Sequence, residues 1–535
     1  ARAVEAIRDG SVVAVKGIGG YHLVCDALND EAVATLRERK RRPDKPLAVM
    51  FPVAGTDGLE IARSYVSFTY EEAALASGPI RPIVLARRRA SCGLAGNVAP
   101  GLDEIGVFLP YSPLHQLLLD ALGGPVVATS GNISGEPVLT DNGEAARRLR
   151  PVADAFLQHN RPIVRPADDP VYRRIAGTMR PLRIGRGCAP RELELPYSQR
   201  EPLLAVGGHM KGTVALSWDN RVVVSPHIGE MDSPRSLDVF EQVASDLQDL
   251  YGVRANRIVC DAHPGYTTHK WAQGLGLPVD TVWHHEAHAS AVAAELDQPD
   301  NWLMFTWDGV GLGSDGTLWG GEAFLGRPGC WVRRASLRTF RLPGGDKAGR
   351  EPWRSAAALH WECGLEWAAL PDTDGIARAA WDSGLNCPVT SAAGRLFDAA
   401  AAIICEFPNA SVEAQGPMML ESVCRSAADG MELPLREGDD EIFRTDWQPL
   451  LGMLADHSIE RVRRAELFHA SIARAIVAQA KALSAQHDIA QIGLCGGVFQ
   501  NRVLADQTVA LLEDAGFRVH LPLALPCNDA ALSYG

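Results

Sequence analysis

Two neighbouring segments of the sequence hold the residue types and the spacing of a metal site. His284 and His288 are four residues apart, and the segment 286–296, rich in Ala and Glu, predicts a helix there. Residues at i and i+4 share one face of a helix, so both imidazoles can reach one divalent cation. A carboxylate from a following turn can complete the set, and Asp308 lies twenty residues downstream.

The histidine pair by itself also fits a solvated helix face, and the acidic run that follows is what favours a metal. The zinc-protease motif is excluded, because His285-Glu286 would need a second histidine at the position of Ala289. Two imidazoles with an oxygen ligand suit Zn and Fe(II) equally, so the sequence does not choose between these metals.

Glycines alternate with other residues in the run Asp308-Gly-Val-Gly-Leu-Gly. Because glycine has no side chain, backbone N–H groups in such a run can approach a phosphate closely. A metal next to a phosphate-binding turn indicates nucleotide chemistry.

Composition and charge narrow the class of protein. The chain has 535 residues, 46% hydrophobic and 22% charged, which is typical of a globular protein with large cores. The formal net charge of −13 disfavours a nucleic-acid partner, which needs concentrated basic charge. Neither a membrane-spanning run nor a signal-peptide core is present, so no membrane partner is expected. The eleven cysteines are scattered without a CxxC pair, as expected for reduced thiols in a cytoplasmic protein.

The succession of strand and helix patterns predicts an α/β fold in two parts. Residues 1–190 form the first domain, 191–202 a proline-containing linker, and 203–535 the second domain. In the second domain strands repeatedly end in an acid or a glycine pair, as at Gly207-Gly208 and Gly496-Gly497. By fold analogy alone, this arrangement is typical of the two-lobed actin and sugar-kinase folds.

A dense basic segment follows a predicted helix in the first domain, Arg37-Glu-Arg-Lys40-Arg-Arg42-Pro-Asp-Lys45-Pro. Downstream lies the polar turn Thr129-Ser130-Gly-Asn132-Ile-Ser134. Arg and Lys neutralise different oxygens of a polyphosphate, and Ser, Asn and backbone N–H groups bind the same kind of ligand. A solvated helix end accounts for the basic run alone, but the two motifs together favour a nucleotide site.

These motifs resemble those of a known family. Lys45-Pro46-Leu47 and the Ser-x-Asn turn resemble the YrdC-like domain. The later motifs resemble the carbamoyltransferase domain of the actin-like ATPase (ASKHA) superfamily: His-x3-His, Asp-Gly-x-Gly, Ser391-Ala-Ala-Gly394-Arg395-Leu-Phe-Asp398, Gly496-Gly497-Val-Phe-Gln-Asn501 and Asn528-Asp529. Their order, with the segments 225–230 and 344–353, is similar to the HypF family of [NiFe]-hydrogenase maturation carbamoyltransferases over essentially the whole chain.

The resemblance implies a YrdC-like α/β domain followed by a two-lobed actin-like domain, and two linked reactions. ATP with Mg²⁺ and carbamate, derived from carbamoyl phosphate, would give carbamoyl-adenylate in the first domain. The carbamoyl group would then pass through an enclosed path and be transferred to the C-terminal cysteine of a HypE-type acceptor protein.

The resemblance also implies roles for individual residues. In the first domain, the phosphates, nucleotide and carbamoyl group would be bound by Lys40, Arg42, Lys45, Ser130, Asn132 and Ser134. In the second domain, a Zn or Fe ion would be held by His284, His288, Asp308 and Asp529. The nucleotide there would contact Lys211, Gly394, Asp398, Gly496, Gly497 and Asn501.

Several features depart from the family pattern. The family's N-terminal acylphosphatase domain and zinc-finger region with CxxC pairs are not found in this sequence. Either the sequence is a piece of a longer protein, or it is a natural short form for which carbamoyl phosphate hydrolysis is expected elsewhere. Ala414 and Pro170 stand where the family pattern has glycine and serine, and Gly185 stands where it has a larger residue. These substitutions bear on the details of the substrate contacts.

Three alternatives stay open at this point. They are a small-molecule O-carbamoyltransferase, a tRNA-threonylcarbamoylating enzyme, and an actin-like ATP-binding regulator or scaffold. The acidic balance disfavours tRNA, and a scaffold would leave the basic segment without a role. The metal, the acceptor and the oligomeric state are not specified by the sequence.

Overall fold

The structure, a computed structural model, describes residues 1–133, 135–296, 301–372, 374–489 and 491–535. Within these ranges the strands form three mixed sheets, one before residue 190 and two after it. None of the helices described is long and apolar enough to cross a lipid bilayer. The predicted α/β class is confirmed.

The first sheet belongs to the first domain, and its order is β10-β9-β5-β6-β3-β7-β2-β1-β8, with β4 paired to β5. Its strands are β1 (Val13–Lys16), β2 (Tyr21–Asp26), β3 (Val49–Met50), β4 (Val66–Ser67), β5 (Ile83–Arg88), β6 (Glu104–Phe108), β7 (Val126–Ser130), β8 (Ala155–Leu157), β9 (Val171–Ile175) and β10 (Thr178–Arg183). The helices that pack on it are α1 (Arg2–Arg8), α2 (Asp30–Lys40), α3 (Tyr70–Ser77), α4 (Pro113–Leu122) and α5 (Asn142–Arg148).

Helix α2 determines where the basic segment lies. The Asn29 side chain caps its start by accepting hydrogen bonds from the Glu31 and Ala32 N–H groups at 3.0 and 3.1 Å. The helix ends at Arg41, which adopts the left-handed conformation (φ 51°). Cations are favoured at this end of a helix by its dipole. The chain therefore reverses immediately after Lys40 and delivers residues 42–45 to the end of β7.

The second and third sheets build the two lobes of the second domain. The second sheet contains β11 (Arg191–Glu194), β12 (Leu203–Val206), β13 (Val214–Trp218), β14 (Arg221–Val224), β15 (Arg257–Asp261) and β16 (Val279–Val282). The third sheet contains β17 (Trp302–Leu312), β18 (Leu318–Arg327), β19 (Cys330–Leu337), β20 (Phe340–Arg341), β21 (Val389–Thr390), β22 (Leu435–Glu437), β23 (Phe443–Thr445), β24 (Gln491–Cys495) and β25 (Arg518–His520).

The two lobes share one strand arrangement. The second sheet contains the run β14-β13-β12-β15-β16, with β11 beyond β14, and the third contains the run β19-β18-β17-β24-β25, with β23 and β22 beyond β19. In each, the first three strands are antiparallel and the last three are parallel. Strands β12 and β15 of the first lobe thus correspond to strands β17 and β24 of the second lobe. This structural repeat gives the predicted two-lobed architecture, although no sequence repeat accompanies it.

Helices flank these sheets, and most of the apolar core lies in the second lobe. They are α6 (Pro234–Tyr251), α7 (Thr267–Gly274), α8 (His284–Ala294), α9 (Trp353–Glu362), α10 (Ile376–Ser383), α11 (Ala393–Ile404), α12 (Gln415–Val423), α13 (Gln448–Ala455), α14 (Arg461–Ser484) and α15 (Arg502–Asp514). The alanine-rich face of α11 packs closely against β17, and Trp307 and Phe397 are fully buried there. This packing fixes α11 beside the strand that carries Asp308.

Two boundaries differ from expectation. The segment predicted as the start of the linker forms strand β11, which pairs with β14, because Leu193 and Leu195 pack against the second sheet. The helix predicted over 286–296 begins two residues earlier, at His284. Both histidines of the predicted pair therefore lie in its first two turns.

Candidate functional site

The four predicted metal ligands converge in the second domain. One ligand atom from each of His284, His288, Asp308 and Asp529 lies within 4.8 Å of the others. The Nε2 atoms of His284 and His288 lie 3.3 and 3.5 Å from Asp308 Oδ2, and 4.0 and 3.7 Å from Asp529 Oδ1. Donors on a tetrahedron with bonds of about 2.05 Å are about 3.3 Å apart, so the spacing fits one cation.

Charge and burial in this cluster also fit a cation. Both imidazoles are about 1% exposed, and His288 Nε2 has no hydrogen-bond partner among the residues that the structure describes. Burial disfavours the imidazolium of His284, but hydrogen bonds to Asp261 and Asp308 outweigh it and raise its pKa. Burial also opposes ionisation of Asp308, yet the two histidines hold its pKa well below the usual range. The carboxylates thus attract positive charge to the point where the four side chains meet.

The ligands are held by atoms on both lobes. Asp261, the last residue of β15, accepts a hydrogen bond from His284 Nδ1 at 2.9 Å, and its other oxygen accepts the His263 N–H at 2.8 Å. The Gly497 N–H donates to Asp308 Oδ1 at 3.0 Å. As a result, Asp308 Oδ2 and His284 Nε2 are the atoms that face the metal-ligand cluster.

Of the two predicted nucleotide residues of α11, Gly394 lies beside Asp308. A Cβ on Gly394 would lie 2.8 Å from Gly309 Cα, so glycine is needed for this close packing. The carboxylate of Asp398 lies 2.9 Å from Arg395 Nη1. Burial, reinforced by Glu413, raises the Asp398 pKa to about 6 despite the opposing charge of Arg395. The guanidinium of Arg395 in turn reaches toward Gly309 and Gly349.

Lys211 lies in the first lobe and pairs with an acidic residue of the second lobe. Its Nζ lies 2.7 and 2.9 Å from the two carboxylate oxygens of Glu413, which belongs to the second lobe. Burial would lower the pKa of Lys211, but Glu413 and the more distant Asp529 raise it. The ammonium therefore stays charged, and in this structure Glu413 of the other lobe neutralises it.

The Gly496-Gly497 turn follows β24. A Cβ on Gly496 would lie 2.2 Å from the Trp307 carbonyl oxygen, and one on Gly497 would lie 2.7 Å from Asp308 Oδ1. The side chain of Asn501 is occupied differently: it caps α15 by accepting the Leu504 N–H at 3.0 Å and contacts His469 Nε2 at 2.9 Å. Contact of Asn501 with the nucleotide stays a prediction.

The cationic segment of the first domain gathers at the end of β7. Lys40 Nζ donates to Asn132 Oδ1 at 2.9 Å and to the Ser130 carbonyl, and Ser130 Oγ donates to the same Asn132 oxygen at 2.8 Å. Arg42 Nη1 donates to Thr129 Oγ1 at 3.2 Å. Four of the predicted residues therefore form one cluster, and Ser134 lies outside the described residues.

These cations are crowded together without enough negative charge. Burial, with repulsion from Arg42 and Lys45, lowers the pKa of Lys40 well below its ordinary value. Burial and repulsion from Arg37 and Arg183 lower the pKa of Arg42 to about 10. Lys45 reaches solvent, but desolvation by the surrounding protein and the charges of Arg42 and Arg183 lower its pKa to about 8. Such crowding is relieved by a polyanion.

The residues between the two clusters were not identified from the sequence as functional. Burial lowers the pKa of His227 to about 4; Asp168 opposes the shift, while Arg183, Lys211 and Lys45 add to it. His227 thus lies within electrostatic reach of cations from both clusters. Pro226 and His227 line a small cavity with Ala167 and Asp168 of the first domain.

One departure from the family pattern has a steric cause here. A Cβ on Gly185 would lie 2.1 Å from the Asp168 carbonyl oxygen. The Arg186 N–H also donates to that oxygen at 2.9 Å. A larger residue at 185 would therefore displace the segment that borders the cavity.

Sequence signals for the missed residues differ in strength. Arg395 lies inside a motif that was recognised, between Gly394 and Asp398, so the sequence could have indicated it together with them. Asp261 is the last residue of a strand that contains β-branched residues. The other acidic residues at strand ends were predicted from this same pattern. His227 lies in the segment 225–230 that contributed to the family resemblance, although no role was assigned to it there. Arg183 carries no local signal, because its role depends on packing between domains.

Comparisons with known proteins agree along the whole chain. Residues 5–185 match the Sua5–YciO–YrdC family, whose description reads "Telomere recombination". Residues 198–295 match the "HypF Kae1-like domain", and residues 304–535 match "Carbamoyltransferase, Kae1-like Domain, second subdomain".

Individual relatives give the same result. The carbamoyltransferase HypF of Synechocystis sp. is 39% identical, over 100% of this chain and 72% of the relative. The HypF of Rhodobacter capsulatus is 38% identical with the same coverage. A crystal structure of full-length HypF in the phosphate- and nucleotide-bound form matches with a TM-score of 0.95 and 33% identity, over 99% of this chain and 84% of that one.

The fold and the paired clusters define a two-domain transferase, in which a YrdC-like domain precedes a two-lobed Kae1-like domain. More specifically, the chain belongs to the HypF family of carbamoyltransferases. The resemblance drawn from the motifs is confirmed.

Proposed function

We propose that the enzyme makes carbamoyl-adenylate in the first domain and transfers the carbamoyl group in the second to the C-terminal cysteine of a HypE-type acceptor. The observation that carries this proposal is the presence of two clusters in one chain, the cationic cluster at Lys40 and the metal-ligand cluster, with a cavity lined by Asp168 and His227 where their domains meet. Two anion-binding sites that face one domain boundary suit successive steps on one phosphate-bearing intermediate.

In the first step a carbamate oxygen attacks the α-phosphorus of ATP, and the bond from that phosphorus to the leaving pyrophosphate breaks. Lys40, Arg42 and Lys45 neutralise the phosphates, which is the main help a protein gives to such a transfer. Ser130 and Asn132 orient the carbamoyl end or the nucleotide. Magnesium accompanies ATP as part of the substrate.

The carbamoyl-adenylate then moves past Arg183 and His227 toward Lys211. An enclosed route is needed because water would hydrolyse the mixed anhydride. Cations on both sides of the boundary attract the adenylate phosphate, while His227, kept neutral by its low pKa, adds no further charge.

In the second step the acceptor thiolate attacks the carbamoyl carbon, and the bond from that carbon to the phosphate oxygen breaks. The products are a thiocarbamate on the acceptor and AMP. His284, His288, Asp308 and Asp529 would hold one divalent ion, Zn or Fe, whose positive charge would stabilise the departing phosphate. Arg395 and Lys211 would neutralise the same phosphate from opposite lobes.

The decisive experiment supplies ATP, Mg²⁺, ammonium carbamate and a purified HypE-type acceptor, and measures the mass of the acceptor's C-terminal peptide. ATP–pyrophosphate exchange without acceptor isolates the first step. A parallel reaction uses carbamoyl phosphate with an added acylphosphatase. We expect carbamate-dependent exchange and a carbamoylated terminal cysteine. Exchange that needs threonine, or carbamoylation of a small hydroxyl compound in preference to the cysteine, would contradict the proposal.

A further inference from the structure

Arg173 joins the first domain to the second lobe through a buried ion-pair network. It lies in β9, and its side chain is 10% exposed. Its Nη2 lies 2.8 Å from Glu104 Oε2 of β6 and 2.8 Å from Glu421 Oε1 of α12. Its Nη1 donates to Glu421 Oε2 at 3.0 Å and to the Gln500 carbonyl at 2.8 Å. A buried guanidinium with this many partners holds its surroundings in one geometry.

The Gln500 carbonyl ends the turn Gly497–Gln500, which contacts the carboxylate of Asp308 and the side chain of Asn528, the residue before Asp529. At its start, the Gly497 N–H donates to Asp308 Oδ1 at 3.0 Å. At its end, Gln500 Oε1 accepts a hydrogen bond from Asn528 Nδ2 at 2.9 Å, directly before Asp529. Asn528 Nδ2 also donates to the Leu182 carbonyl of the first domain at 3.1 Å.

We propose that Arg173 is a positioning residue for the second site: by fixing the turn Gly497–Gln500 it aligns Asp308 and Asp529, so that this site is complete only when the first domain is docked. The inference rests on the proposed function for its catalytic meaning. In physical terms, an arginine of the first domain controls the affinity of the second domain for a divalent ion. This arrangement ties carbamoyl transfer to the presence of the domain that makes the intermediate.

The test compares the full chain with its Arg173→Met variant. Zinc affinity, measured by competition with a chromogenic chelator, should fall by about 10- to 100-fold, as it does when residues that orient metal ligands are removed. Carbamoyl transfer should fall similarly, while carbamate-dependent ATP–pyrophosphate exchange stays unchanged. Arg173→Lys should recover part of the zinc affinity. Arg174→Gln is the matched control, because its half-exposed side chain pairs only at 3.5 Å with Glu71.

A second variant separates positioning from simple stability. Arg173→Met removes the nearest cation of both Glu104 and Glu421 and leaves Glu104 only the more distant Arg502, at 3.4 Å. The triple variant Arg173→Met, Glu104→Gln, Glu421→Gln therefore removes the two poorly compensated charges. We expect it to regain the thermal midpoint of the parent but not its zinc affinity. Parental zinc affinity in the triple variant would overturn the inference, as would a parallel loss of exchange and transfer. If the parent itself catalyses neither exchange nor transfer, the proposed function fails, and the zinc comparison still decides this inference.

Discussion

Asp261 accepts a hydrogen bond from Nδ1 of His284 at 2.9 Å, across the boundary between β15 and α8. This contact fixes the imidazole so that Nε2 faces Asp308 and Asp529. A carboxylate in this position also makes the imidazole a stronger ligand. It links the first lobe's parallel strands to the cluster that the second lobe completes.

Asp261→Asn should therefore weaken zinc binding by about 10- to 100-fold, because the amide orients the ring without supplying negative charge. Chelator competition measures the change. Asp280→Asn is the control, because Asp280 lies on the neighbouring strand with an exposed side chain paired to Arg257. Equal zinc affinity in the Asp261 variant and the parent would show that this contact does not tune the ligand.

His288→Ala should abolish carbamoyl transfer by more than about 100-fold and leave carbamate-dependent exchange intact, because it removes a ligand rather than a partner of a ligand. Acceptor mass and exchange are measured on the same preparation. The exposed His457 provides the control as His457→Ala. Equal loss of both activities would mean that the two steps do not use separate sites.

The pH dependence of ATP binding should reflect Lys45. Its pKa is lowered to about 8, so raising the pH through 8 removes a phosphate-binding charge. The KM for ATP should rise by about tenfold toward pH 9.5, because the loss of one charge-assisted hydrogen bond weakens binding by about that factor. Lys45→Arg should show a smaller rise in KM than the parent over this range, and an unchanged profile in the parent would argue against Lys45 as a phosphate ligand.

The free energy of unfolding of the ligand-free protein should rise over the pH range in which ATP binding weakens. Between about pH 8 and the unfolded-state pKa near 10.5, the unfolded chain retains the Lys45 proton that the folded protein releases. The ligand-free protein therefore gains a contribution to stability from this residue as the pH rises. Thermal unfolding of the parent and of Lys45→Arg measures that contribution.

Gly394→Ala should destabilise the second lobe by about 1–3 kcal/mol, the usual cost of overpacking, and reduce transfer by displacing Asp308. The new Cβ would lie 2.8 Å from Gly309 Cα and 3.1 Å from the Asp308 carbonyl oxygen. Gly452→Ala is the matched control, since that helical position has open space and alanine there gains about 1 kcal/mol of helix propensity. Thermal unfolding and transfer are measured on both variants.

Ala414→Gly should stabilise the protein by about 1 kcal/mol. Ala414 adopts the left-handed conformation (φ 54°) before α12, which costs an alanine about 1–2 kcal/mol and a glycine little. This strain explains why glycine is expected here from the family pattern. Ala485→Gly is the control, because Ala485 has φ −71° and is exposed, so glycine there should lower the thermal midpoint.

The sequence by itself determined the features that depend on local chemistry. The i, i+4 spacing of His284 and His288 required a shared helical face, and α8 provides it. The glycine-rich motifs indicated close backbone approach, and Gly394 and Gly496 have no room for a side chain. Strand and helix periodicity gave the α/β class and the succession of domains, because periodicity reports which face of each element is buried.

Only the tertiary structure decided how distant elements meet. The contact between Arg173 and the Gln500 carbonyl spans more than three hundred residues, and no local pattern encodes it. The same holds for the depressed pKa of Lys45, which depends on desolvation and on the charges of Arg42 and of Arg183 in the distant strand β10. The placement of β11 in the second sheet was also missed, because pairing with β14 outweighs the linker-like composition of its surroundings. Burial and electrostatic coupling arise from packing between elements, so they appear only when the chain is folded.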